Sequence, residues 1–150
     1  MNDIKIVDKH EELLCEIHRN LEMSAESTTA VMKKVKSKEL LLLLTEVIMK
    51  STELLNTTVD LMKERGIEPQ EISKMKQLSV DAGIMVNTLF DSSDSHIAEM
   101  MVKGLEMGVV SLRELVKKLT PSDDKISKLC TDVVTLESTY AHKIGQFVEQ

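Results

Sequence analysis

Tryptophan is missing from this 150-residue sequence, and tyrosine (one), phenylalanine (two), proline (two), cysteine (two) and glycine (five) are scarce. Each shortage excludes something. So few turn formers and aromatics cannot supply the many short strands and tight turns of a β-sandwich or barrel. Two cysteines make no disulfide scaffold. None is needed, because a chain of this length buries roughly two thirds of the surface that its unfolded form exposes. Positive charge is also short, with 19 Lys and Arg against 25 Asp and Glu and a net charge of -6. An acidic chain with few stacking aromatics is not expected to bind nucleic acid. Long apolar runs are absent too: the longest, Leu40 to Leu44, is far too short to span a bilayer, and the first ten residues lack the apolar stretch of a signal peptide. The expectation is a single cytoplasmic domain over residues 1–150, without nucleic-acid or membrane partners. Cys15 and Cys130 fit it as reduced, buried small hydrophobes.

What the sequence does have is a helical texture: ten methionines, many leucines, and apolar positions that recur in steps of three and four. Its punctuation is sparse. Arg65-Gly66-Ile67-Glu68-Pro69 reads as a helix stop followed by a start, Asp91 to Ser95 as a capping cluster, and Thr120-Pro121 as a threonine cap with acids following it. Ser37 can cap a helix whose first turn holds Glu39. A break is needed there, because an unbroken helix from residue 8 to 65 would run on the order of 85 Å at 1.5 Å per residue. The expected helices are about 5–34, 37–65, 70–90, 95–119 and 122–148.

Each helix has an apolar seam, and most seams carry small or polar residues near their middles. The first runs Leu14, Ile17, Leu21, Ser24, Thr28, Val31; the second Leu40, Leu44, Val47, Ser51, Leu54, Thr58, Leu61, Arg65. The helix over 95–119 offers Ile97, Met101, Gly104, Gly108, Leu112, and the last offers Ile126, Leu129, Val133, Glu137, Tyr140, Ile144 and Phe147. Together Ser24, Thr28, Ser51, Thr58, Gly104, Gly108, Glu137 and Tyr140 predict a central polar layer, a candidate ligand site. Glu137 is the only carboxylate centred on a seam. Burying it demands a partner or a raised pKa, and the facing Ser and Thr hydroxyls are the natural partners. Leu41, Leu42 and Met49 fall outward on the second helix and predict an association surface.

Two long antiparallel helices, a helical crossover and a second long pair make the connectivity of ferritin-like and rubrerythrin-like bundles. Glu39 to Glu46 (ELLLLLTE), the stop at Gly66 and the closing Leu136 to Ile144 (LESTYAHKI) resemble the uncharacterised bacterial branch of that superfamily, whose members are small cytoplasmic bundles. The resemblance implies an all-α, ferritin-like up-down-down-up four-helix bundle with an additional short crossover helix. It also implies a dinuclear iron or manganese site with ferroxidase or peroxidase activity.

The residues depart from that ligand set, which takes a Glu from each of two helices and a Glu-x-x-His from each of the others. Tyr140 stands where the histidine after Glu137 would be, and Met49 follows Glu46, which falls on the outward face. Glu22 and Glu26 lie about 120° or more from their seam at 100° per residue, and Glu106 is similarly displaced. The four histidines are expected at the surface. The expected function is therefore a non-catalytic bundle that acts through self-association or a protein partner, without a cofactor. The alternative is an iron- or manganese-binding oxidoreductase or storage protein using Glu137. A small apolar ligand between Gly104, Gly108 and Tyr140 is a third possibility, and a Cys15–Cys130 redox pair a minor one.

Overall fold

The computed structural model of the chain describes residues 8–69 and 91–149. The expected helix over 70–90 lies outside them, as do residues 5–7 of the first helix. The described residues form four helices and no strand. They are α1 (Lys9–Met32), α2 (Lys38–Glu64), α3 (Asp94–Leu119) and α4 (Asp124–Gly145).

Local chemistry accounts for the boundaries. The Asp8 carboxylate accepts from the His10 amide at 3.3 Å, Ser37 Oγ from Leu40 at 3.2 Å and Ser93 Oγ from His96 at 3.2 Å, so each capping residue satisfies a free first-turn N–H. α2 stops as its glycine requires. Gly66 takes φ +69°, its amide donates to Lys63 and that of Ile67 to Met62, the paired bonds of a Schellman motif. The threonine cap expected at Thr120 is not the start of α4. Thr120 closes α3 in the left-handed region at φ 42°, its amide on the Val116 carbonyl, and Asp123 caps α4 by accepting from Ile126 at 3.0 Å. A cap must directly precede the first helical residue, and Pro121 and Ser122 remain in the turn. The first and last helices also end earlier than expected, at Met32 and Gly145.

α1 packs along α2 and α3 along α4, while α2 lies against α4 and α1 against α3. Side chains tie the ends. Asp94 accepts from the amides of Lys36 (2.9 Å) and Ser37 (2.7 Å), and Ser95 Oγ accepts from Glu149, which joins the α1–α2 turn, the start of α3 and the end of α4. At the other end Arg65 bonds Asp123 at 2.8 Å and lies 3.6 Å from Asp8, Lys9 donates to the Thr120 carbonyl, and His10 Nε2 accepts from Ser122 and Asp123. α2 and α3 thus begin at the same end.

Two apolar clusters fill the interior. One gathers Leu40, Leu44, Ile97, Met101, Tyr140 and Ile144, and the other Leu13, Ile17, Leu61, Met62, Leu129 and Val133. Between them along α1 and α2 are the buried polar residues Thr28, Ser51 and Thr58, and Glu137 is buried on α4 beside Leu136 of the first cluster. The buried face of α3 is rotated from the expected seam. Ala98, Leu105 and Val109 turn inward with Ile97, Met101 and Leu112, and Gly104 is exposed, because a glycine has no side chain to withdraw from water. Leu13, His18, Met62, Cys130, Leu136 and Ala141 are buried outside the predicted seams; Leu54 and Phe147 are half-buried and Arg65 is exposed. No described helix is long and apolar enough to cross a membrane.

Candidate binding cleft

Where α1 meets α3, both helices present small side chains: Ser24 and Ser27 on one, Gly104, Gly108 and Ser111 on the other. Their backbones cannot be bridged by such short groups, and a cleft of about 450 Å³ remains between them. Its walls are apolar, formed by Met23 and Val31 from α1 and Met100, Met101, Leu105, Met107, Leu112 and Leu115 from α3. Met23 and Met107 are exposed at its mouth. Asn20 and the ion-paired Glu16 and Arg19 complete the α1 side.

Glu137, from α4, also lines the cleft and is only 2% exposed. Burial raises its carboxyl to a pKa of about 7, and a hydrogen bond from the Asn20 side chain offsets only part of that. Asn20 serves one carboxyl oxygen. The other, Oε1, is buried with no hydrogen-bond partner, and so is the nearby Ser24 hydroxyl. Gly108 makes room for this arrangement: a Cβ there would collide with Glu137 Oε2 and stand 2.9 Å from Asn20 Nδ2. Chemically the site offers an apolar volume with two unpartnered polar groups in its lining, the Glu137 Oε1 acceptor and the Ser24 hydroxyl.

The predicted layer is brought together only in part. Glu137, Ser24, Gly104 and Gly108 line the cleft, with Gly104 at its exposed side. Thr28 and Thr58 are buried but donate to the Ser24 and Leu54 carbonyls on their own helices, so the hydroxyl partners expected for Glu137 are replaced by Asn20. Ser51 is buried on α2, outside the cleft lining. Tyr140 also faces away from the cleft. Its hydroxyl donates to Glu46 Oε2 at 2.9 Å, and burial followed by that hydrogen bond and charge pushes the phenol up to about 12. Glu46 is therefore half-buried rather than outward, because its position beside Val47 lets a long side chain reach α4.

The histidines are not uniformly at the surface. His142 is exposed, but His18 is 6% exposed beside Glu22, and His10 is tied to the α3–α4 turn. Cys130 is buried and Cys15 half-buried; both thiols are free, and burial raises both pKa values, that of Cys130 to about 11. Among the described residues no three or more His, Cys, Asp or Glu side chains gather as metal ligands do. Leu41, Leu42 and Met49 are exposed on α2 at 36%, 61% and 60%.

Asn20, Met23, Met100 and Met107 are among the cleft residues that the seams do not reveal. A signal exists: Gly104, Gly108 and Ser111 fall at steps of four and three on one face of α3, which marks a thin wall. No family model matches the chain, and neither does any curated protein or solved structure.

Proposed function

We propose that this chain is a non-catalytic helical bundle that works by binding, and that the α1–α3 cleft receives a small, largely apolar molecule. One observation carries the proposal: an apolar-walled cleft of about 450 Å³ ends on a buried carboxylate with an unpartnered oxygen. Small-molecule sites characteristically combine such a volume with a few convergent polar groups. A ferritin-like up-down-down-up order belongs to the same proposal. It is supported by the shared starting end of α2 and α3, which makes these two helices parallel. Cytoplasmic residence and the lack of a cofactor are part of it too. Iron or manganese at Glu137 is the weaker alternative, because the neighbouring Asn20 group is an N–H donor to the carboxylate and not a further anionic ligand. A second reading, self-association, rests on the exposed Leu41, Leu42 and Met49.

The cleft is tested with the neutral apolar dye diphenylhexatriene, followed by fluorescence. The wild type is expected to bind one dye per chain, Gly104→Phe to bind at least tenfold more weakly, and Leu42→Glu to bind as the wild type does. Equal binding by Gly104→Phe would place the dye elsewhere and overturn the assignment.

A further inference from the structure

We infer that the cleft selects a small hydrophobic amine, its hydrocarbon body against the methionines and leucines of α1 and α3 and its ammonium donating to Glu137 Oε1. The inference rests on the cleft being a binding site and adds the chemical class of what it holds.

Three features point to a single cationic donor. Glu137 has one oxygen occupied by Asn20 and one without a partner, so the cleft base can accept one strong hydrogen bond. The unmet group is a carboxyl, 2% exposed, and in that burial its ionised form is relieved far more by a cation than by a neutral donor. An anionic ligand is disfavoured, because the lining holds two carboxyl groups, Glu16 and Glu137, against one cation, Arg19, whose charge Glu16 already balances. The volume suits a small molecule. About 450 Å³ holds on the order of 15 non-hydrogen atoms at the roughly 30 Å³ that a water occupies in the liquid.

The surroundings of Glu137 couple binding to a proton. From α1 the cleft presents the Glu16–Arg19 pair, whose charges oppose one another, and from α3 it presents no charged side chain. From α2, Glu46 accepts the Tyr140 hydroxyl, one turn further along α4. No other cation lines the cleft among the described residues, so an arriving ammonium is what stabilises the ionised carboxylate. Since the empty site holds its proton up to about pH 7, an amine that binds below that pH displaces it.

Calorimetry with octylamine and octan-1-ol, which have the same number of non-hydrogen atoms, tests this. At pH 7.5 octylamine is expected to bind the wild type at least tenfold more tightly than octan-1-ol, and in Glu137→Gln the preference should fall below threefold. At pH 6, measured in two buffers of different ionisation heat, octylamine should release close to one proton per molecule bound, and octan-1-ol none. The proton count decides the matter in the wild type even if the variant does not fold. Equal affinity for both compounds, an amine preference retained in Glu137→Gln, or amine binding without proton release would overturn the amine assignment and leave the apolar cleft standing. Failure of both compounds and of the dye to bind would overturn both.

Discussion

Glu137 shows how far one residue can be read from its position in a sequence. As the only carboxylate centred on a seam it was identifiable in advance, and its burial and raised pKa follow from that placement. Its partner was not identifiable. Asn20 lies beside the seam of α1, and only the approach of α1 to α4 across the thin wall of α3 brings its amide to the carboxyl. The raised pKa has a defined consequence for stability. The unfolded chain ionises this group near 4.5 and the folded chain near 7, so between those values the unfolded state gives up a proton that the folded state retains. Stability should therefore fall as pH rises through this window and level off above it, by about 3 kcal/mol in all. Urea denaturation at pH 4.5 and pH 8 checks this: Glu137→Gln should lose less stability than the wild type by about that amount. Identical losses would mean that the carboxyl is not desolvated.

At the scale of the helix, α3 holds two glycines four residues apart that a sequence cannot tell apart. The structure separates them. A Cβ at Gly104 meets nothing within 4 Å, whereas one at Gly108 runs into Glu137. Gly104→Ala should raise stability by about 0.8 kcal/mol through helix propensity. Gly108→Ala should lower it by about 1–3 kcal/mol by crowding the carboxylate. Thermal unfolding of the two variants distinguishes them, and equal shifts would contradict the geometry. Asp94 makes a second prediction at this scale. Its carboxylate satisfies the amides of Lys36 and Ser37, so Asp94→Ala should cost about 2 kcal/mol in chemical denaturation and loosen the end where α1, α2 and α3 meet. The helices themselves were readable because caps and stops are local: Ser37, Gly66 and Ser93 act within one turn of their own positions. Thr120 misled because the same residue type can cap a helix start or close a helix end, and its left-handed φ is settled by the turn around it.

At the scale of the whole molecule, the exposed large apolar residues among the described residues include Met23 and Met107 at the cleft and Leu41, Leu42 and Met49 on α2. Sedimentation equilibrium addresses the second group. If it mediates self-association, the wild type should form a dimer that the double substitution Leu42→Glu, Met49→Glu dissociates, while dye binding in the cleft persists. A wild type that stays monomeric at high concentration would remove that surface from the functional account.

The sequence by itself determined the helical class, the approximate helix limits, the seams of α2 and α4, and the singular position of Glu137, because these depend on periodicity and on interactions within a turn or two. Only the tertiary structure decided which face of α3 turns inward, that Glu46 meets Tyr140, and that His18 is buried. It alone decided that the polar layer opens into a cleft instead of closing into a hydroxyl network. Those outcomes depend on how far apart two helix backbones settle and which of several nearly equivalent faces withdraws the most apolar surface from water, a choice made jointly by all four helices.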